Sequence, residues 1–127
     1  MSFETDLIAI CNPLFNNRVW FDTTPEGMSR ADMSAPFLLI DQVGGKDAWY
    51  VDNTLPDFQN ARMQFSIWGD MRLAVADAAR VLRTALATAS VPGFVVEPLG
   101  AVVNDYNDVL KLRGARQDFS IWYQVAP

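Results

Sequence analysis

The fold of this 127-residue chain is decided by the stretch ARMQFSIWGD (61–70) and by MRLAVADAARVLRTALATA (71–89), which follows it directly. In the first part apolar residues alternate with more polar ones, at the period of a strand with one buried face. In the second part they recur every three or four residues, at the period of an amphipathic helix. Gly69-Asp70 is expected to break the strand and cap the helix. A strand that runs straight into a long amphipathic helix predicts a sheet with a helix packed on one face.

Each of these two elements presents one apolar side. Four strand residues are expected to face the core, namely Ala61, Met63, Phe65 and Ile67, and the residues between them face the other way. The helix is predicted from Met71 to about Ala89, and its core-facing arc comprises Met71, Val75, Ala78, Leu82, Ala85, Leu86 and Ala89. Leu73 is the exception, because it lies on the opposite arc with charged residues such as Arg80 and Arg83.

Local patterns before this unit predict one helix, several short strands and two loops. The first is a helix from Phe3 that ends near Cys11, followed by a strand over Arg18–Asp22 and a surface loop over Thr23–Ala35. Next come a strand over Phe37–Val43, closed by Gly44-Gly45, and a short return strand over Ala48–Val51. A loop over Asp52–Asn60 completes this part of the chain.

The segment after the long helix predicts a set of strands. They are a β-like stretch over Phe94–Val103 interrupted at Pro98 and Gly100, a turn over Asn104–Asp108, and strands over Val109–Arg113 and Arg116–Val125 with a bulge or bend at Gly114. Residues 1–127 are therefore expected to form a single α+β domain, with a mixed, largely antiparallel β-sheet and two α-helices packed on one face.

The composition excludes several classes of function. The chain contains no histidine and one cysteine, Cys11, so triads built on histidine, internal disulfides and multi-cysteine zinc sites are impossible. No phosphate-binding glycine motif is present, and we expect neither enzymatic activity nor a cofactor. The cluster NDYND (104–108) lacks the glycine and distal glutamate of a calcium loop and is typical of a turn, so no metal site is expected.

The N-terminus has no basic region, and no apolar run approaches the roughly 20 residues that span a bilayer. We therefore expect no export signal and no membrane partner.

The formal net charge of −5 belongs to one stretch. Residues 22–57 contain seven carboxylates against Arg30 and Lys46, and the carboxylates are Asp22, Glu26, Asp32, Asp41, Asp47, Asp52 and Asp57. A surface for nucleic acid needs clustered lysine and arginine, so no sequence-specific nucleic-acid binding is expected. The simplest interpretation of this stretch is a set of solvated loops.

The tetrapeptide FSIW occurs twice, at 65–68 and at 119–122. If Phe and Ile of each copy pack under the helices, Trp68 and Trp122 lie on the other side of the sheet. They either cover the sheet edge or a loop, or they meet another subunit, since interfaces are enriched in Trp and Arg and depleted in Lys. Eight arginines against two lysines favour the second interpretation weakly.

The order of these motifs resembles that of the bacteriophage tail-completion or tail-terminator family. The resemblance is carried by the N-terminal helix and the VWF strand (19–21), by APFLLIDQVGG (35–45), by ARMQFSIWGD running into the long helix, and by DFSIWY (118–123). It covers nearly the whole chain.

The resemblance implies a structural virion protein of a phage or prophage, without an active site. Such subunits form a ring, commonly six-membered, that ends the tail tube and joins it to the head. The implied partners are further copies of the chain, a tail-tube protein and a head-completion protein; an isolated subunit can be monomeric. The implied location is the phage tail, after assembly in the host bacterial cytoplasm.

For such a ring, the candidate contact residues are Trp68 and Trp122 on one subunit and Leu73, Arg80 and Arg83 on its neighbour. The acidic residues expected to line the lumen or meet a partner are Asp22, Glu26, Asp32, Asp47, Asp52 and Asp57. The alternative function is a small cytoplasmic dimer that binds an apolar ligand between sheet and helices.

Overall fold

The computed structural model describes residues 3–45, 58–89 and 93–124. The elements in these ranges are α1 (Phe3–Cys11), β1 (Val19–Phe21), β2 (Phe37–Gly44), β3 (Phe58–Gly69), α2 (Arg72–Ala87), β4 (Phe94–Asn107) and β5 (Leu112–Gln124). Short 3-10 turns occur at Asn12–Leu14 and Ala31–Met33. The predicted α+β class is confirmed.

The five strands form one mixed sheet in the order β1-β2-β3-β5-β4. Strand β1 is parallel to β2, and every other neighbouring pair is antiparallel. Strands β3 and β5 are therefore the centre of the sheet, and they pair over twelve positions, from Phe58 opposite Gln124 to Gly69 opposite Arg113.

Both helices pack on the same side of the sheet. One buried cluster joins Leu7 and Cys11 of α1, Leu82 and Leu86 of α2, and the core-facing residues of the strands. The predicted alternation on β3 is confirmed, since Ala61, Met63, Phe65 and Ile67 are at most 2% exposed. The phenylalanines of the two FSIW copies, Phe65 and Phe119, meet edge to face with ring centroids 5.1 Å apart.

The core-facing arc of α2 is Val75, Ala79, Leu82 and Leu86. The helix begins one residue later than predicted, and Met71 is an extended flanking residue with 65% of its surface exposed. The prediction that Asp70 caps the helix is wrong, because Met71 holds the N-cap position and no side chain caps it. The Asp70 carboxylate is instead paired with Arg30, 2.5 Å away.

The turn near the C-terminus is displaced from its predicted place. Strand β4 continues through Asn104 to Asn107, and the turn occupies residues 108–111, so the predicted strand Val109–Arg113 begins only at Leu112. The side chain of Asn107 accepts a hydrogen bond from the backbone N–H of Leu110 at 3.0 Å, and Lys111 has a left-handed φ of 57°. The asparagine whose side chain stabilises the turn is therefore Asn107, the last residue of the NDYN run.

Gly114 is not a bulge. It lies in regular register between Trp68 on β3 and Asp105 on β4. The irregularity occurs on β4 between Leu99 and Val103, where Gly100 has a φ of +77°. The interruption predicted at Gly100 is thus confirmed, whereas the one predicted at Pro98 is wrong, because Pro98 pairs in regular register with Phe119. The side-chain amide of Gln117 donates to the Gly100 carbonyl at 2.9 Å.

The N-terminal predictions agree with the structure within a few residues. The first helix ends at Cys11, and the predicted strands at 18–22 and 37–43 correspond to β1 and β2. Residues 58–60, predicted as loop, are the start of β3, because they pair with residues 122–124 of β5. The predicted return strand Ala48–Val51 and the turn after Gly45 lie outside the described residues.

Candidate interaction surfaces

The side of the sheet opposite the helices is called here the open face. On β3 it presents Asn60, Arg62, Gln64, Ser66 and Trp68, which alternate with the buried residues. Residues directly opposite one another in an antiparallel pair share a face. The open-face residues of β5 are therefore Gly114, Arg116, Asp118, Ser120 and Trp122.

The two tryptophans lie at opposite ends of the open face. Trp68 is opposite Gly114, and Trp122 is opposite Asn60, eight positions back along β3. At about 3.3 Å per strand residue this places them roughly 26 Å apart. The two copies of FSIW therefore do not form one aromatic cluster, and each tryptophan has its own surroundings.

Trp68 packs against the sheet itself. Its ring lies over Gly114, where an added Cβ would be 2.7 Å from Cζ3. Its cross-strand neighbour on β2 is Phe37, whose ring centroid is 6.0 Å from that of Trp20. Trp68 is accordingly partly buried within the chain, which leaves part of its ring for any partner.

The end of the open face that carries Trp122 is more exposed. Trp122 is partly buried, and the neighbouring side chains Phe58 and Val95 are 43% and 58% exposed. Beside them is a groove of about 430 Å³, called here the open-face groove, which is lined by Val43, Gly44, Gly45, Asn60, Arg62, Glu97, Leu99 and Ser120. Apolar and polar groups from four strands thus meet in one concave surface.

Some polar side chains of the open face have ion-pair or hydrogen-bond partners within the chain. Arg62 and Asp118 form an ion pair at 2.8 Å, and Asn60 donates to the Ser120 hydroxyl at 2.8 Å. The arginine side chain is 53% exposed, so the pair contributes little stability, of the order of 0–1 kcal/mol.

The outer arc of α2 is the opposite surface of the molecule. Leu73 is 76% exposed, as predicted, and Arg80 and Arg83 are exposed on the same side. Neither arginine forms an ion pair with any residue in the described ranges. The five predicted contact residues therefore divide into two groups on opposite sides of one subunit, and the structure does not bring them together within a chain.

Strand β2 divides the acidic stretch into two parts. Asp22, Glu26 and Asp32 precede it and are exposed, whereas Asp47, Asp52 and Asp57 lie outside the described residues. Hydrogen bonds from the backbone N–H and the side chain of Ser29 lower the pKa of Asp32. Partial burial raises the pKa of Asp41, with a further contribution from the nearby Asp22 carboxyl.

Sequence reasoning missed a surface at one end of the sheet. Arg30 donates to the backbone carbonyl of Leu110 at 2.9 Å and pairs with Asp70, so three distant segments meet there. Around this junction Met71 and Val109 are 65% and 89% exposed. No local pattern could signal it, because the contacts join residues 40 and 80 positions apart.

The cavity between the middle of the sheet and α2 is small. The cavity bounded by residues such as Phe65, Leu82 and Phe119 has a volume of only about 10 Å³. Ligand pockets usually enclose about 300–1,000 Å³, so this cavity is too small for an apolar ligand. A space of about 340 Å³ between the start of α2 and strands β4 and β5 is lined mainly by polar residues, among them Arg72, Asp105 and Arg113.

Within the described residues, no three His, Cys, Asp or Glu side chains are grouped so that they could hold a metal ion. In the same ranges, no helix has the length and apolar character needed to cross a membrane.

These features define a two-layer α+β fold with one exposed sheet face and one exposed helix surface. No protein-family profile and no curated protein sequence matches the chain. Among solved structures, a chain of the "Virion of native gene transfer agent (GTA) particle" is similar, with a TM-score of 0.66 and 16% sequence identity. The alignment covers 92% of this chain and 86% of the other, so the two share their fold over nearly their whole lengths.

Proposed function

We propose that the protein is a structural component of a phage or prophage virion, and that it ends the tail tube as a ring and provides the surface that joins tail to head. The observation that carries the proposal is the fold shared with a virion chain over 92% of the sequence. The motif order that resembles the tail-terminator family supports it independently. No step of this function requires a catalytic site.

The two opposed surfaces suit a ring. A heterologous contact uses different patches on the two partners and closes when the rotation between subunits divides a full turn. One subunit offers the open face, with Trp68 and Trp122, and its neighbour offers the α2 surface, with Leu73, Arg80 and Arg83. Six subunits is the expected number, and the ring then contacts a tail-tube protein on one side and a head-completion protein on the other.

In this arrangement the acidic stretch lines the lumen or the rim. Asp22, Glu26 and Asp32, together with Asp47, Asp52 and Asp57, make that surface negative, so that DNA phosphates are repelled and the genome passes without binding. The location of these residues on the outer circumference of an assembled ring would contradict this part of the proposal.

The function is tested by electron microscopy of particles produced without this gene. Overlong tails or tails without heads are expected, because nothing would stop tube growth or join the head. Normal joined particles would reject the proposal.

The contact surfaces are tested by the double variant Trp68→Ala with Leu73→Arg, which is expected to lose its oligomers in light scattering while keeping its circular dichroism spectrum. Because Trp68 also packs on Gly114, Leu73→Arg alone is the cleaner variant. The matched control is Glu4→Arg on α1, which also adds an exposed arginine. Unchanged oligomers in the double variant would show that these surfaces are not the contact.

A further inference from the structure

We propose that the open-face groove receives the outer arc of α2 from a second copy of this chain. The inference rests on the proposed function, since it specifies how neighbouring ring subunits meet. It selects the Trp122 end of the open face as the main contact and adds Glu97 and Leu99 to it.

The shape of the groove fits a helix. Its floor includes two short residues on the central strands, Asn60 and Ser120, which are 9% and 7% exposed. The third groove residue on these strands, Arg62, is longer, and its guanidinium group is paired with Asp118. Its sides are taller, with Val43 on β2 and Leu99 on β4, 48% and 37% exposed. The short floor residues between apolar borders leave room for a helix to lie close to the sheet, as in the helix-on-sheet layer inside the chain.

The outer arc of α2 carries exposed apolar residues as well as charged ones. Leu73 and Val81 are 76% and 40% exposed, and Ala76 and Ala87 are exposed between and beyond them. The two alanines have small side chains, and Leu73 and Val81 provide most of the exposed apolar area. Leu73 and Val81 offer apolar area that can be buried against Val43 and Leu99.

The charges on the two surfaces are complementary. Glu97 is an exposed groove residue with no ion pair to any described residue, while Arg62 in the same groove is paired with Asp118. Arg80 and Arg83 on α2 are likewise exposed and unpaired within the described ranges, beside the single acidic residue Asp77. Glu97 and the two arginines, none of which forms an ion pair with a described residue, bring opposite charges together when one subunit's helix enters the next subunit's groove.

A second copy is the proposed occupant because, among the described residues, none fills the groove and the exposed arc of α2 lies on the other side of the sheet. The helix and the groove lie on opposite sides of the same sheet, so contact between them requires another molecule. Each subunit then has one groove and one helix to offer, and the contact repeats head to tail until the ring closes.

Cysteine cross-linking tests this contact directly, because the native Cys11 is buried and is not available to an oxidant. A mixture of Leu99→Cys and Leu73→Cys subunits is expected to give a covalent dimer, and the double variant a ladder that stops at the ring size. The experiment is run in cells that assemble particles, so that a subunit monomeric in isolation still meets its neighbours. Glu4→Cys mixed with Leu73→Cys is the control and should give no dimer. Dimers from either single variant alone, or no dimer in the mixture, would overturn the proposal.

A charge exchange provides an independent measurement. Glu97→Arg and Arg80→Glu should each lower ring yield about tenfold, which corresponds to about 1.4 kcal/mol, because each change places like charges across the contact. The two changes together restore opposite charges at every contact and should recover most of the yield. A combined variant no better than either single one would contradict the pairing.

These outcomes separate the contact from the function. If tails stop at normal length although no cross-link forms, the proposed function stands and this contact is wrong. If the ladder forms but removal of the gene leaves particles normal, the contact stands and the function is wrong.

Discussion

At the scale of single residues, Gly114 and Trp68 depend on each other. A Cβ at Gly114 would come within 2.7–3.0 Å of three atoms of the Trp68 ring, so the indole can lie flat on the sheet only over a glycine. Glycine in a strand signals either a bulge or a close approach of another group, and the sequence alone does not separate the two. That is why the predicted bulge was wrong, whereas the positions that alternate on β3 were assigned correctly.

Gly114→Ala is expected to lower the free energy of unfolding by about 1–3 kcal/mol, because the added methyl displaces the Trp68 ring. In a Trp68→Ala background the same change should cost clearly less, since the clashing ring is absent. Urea denaturation of the four proteins of this double-mutant cycle measures both values. An equal cost in both backgrounds would show that the two residues do not interact as described.

Cys11 gives a prediction about pH. Burial raises the pKa of its thiol to about 12, so the folded chain keeps the proton at pH values where the unfolded chain loses it. A group whose pKa is raised on folding stabilises fully below its unfolded value and loses that contribution as the pH rises. The free energy of unfolding should therefore fall between pH 9 and 12, by up to about 1.4 kcal/mol per unit.

The matched control is Cys11→Ala, which lacks the thiol but retains the lysine, tyrosine and arginine groups that titrate in the same range. The difference in stability between the two proteins should shrink as the pH increases from 9. A constant difference over this range would contradict the prediction.

At the scale of secondary structure, long periodic elements were predictable and turns were less so. The period of α2 identified Val75, Leu82 and Leu86 as core residues. Met71, predicted on the same arc, is exposed, and Ala79 is buried beside the partly buried Ala78. The run NDYND contains several residues that favour turns. In the structure the turn follows Asn107, whose side chain accepts a hydrogen bond from the backbone N–H of Leu110. Tertiary pairing of β4 with β5 extended the strand through residues whose local preference is for a turn.

At the scale of the whole molecule, the strand order determined which predicted residues meet. The sequence indicated that Trp68 and Trp122 share a face, because the alternation around both FSIW copies is the same. Their separation followed only from the antiparallel register of β3 and β5, which no local pattern contains. The same reasoning applies to the acidic residues, which form one continuous stretch in the sequence. In the structure β2, a strand of the sheet, lies within that stretch and divides it.

The pairing of β3 with β5 also affects how the chain acquires its structure during synthesis. The β2–β3 and β4–β5 pairs each join strands that are neighbours in the chain, with α2 between the two pairs. The central β3–β5 pair closes a loop of about 50 residues, which costs more chain entropy than either of the others. Pulse-labelled amide exchange should therefore detect protection within the β2–β3 and β4–β5 pairs before protection between β3 and β5. Until β5 leaves the ribosome, one edge of β3 has no partner, and the nascent chain is then most exposed to aggregation.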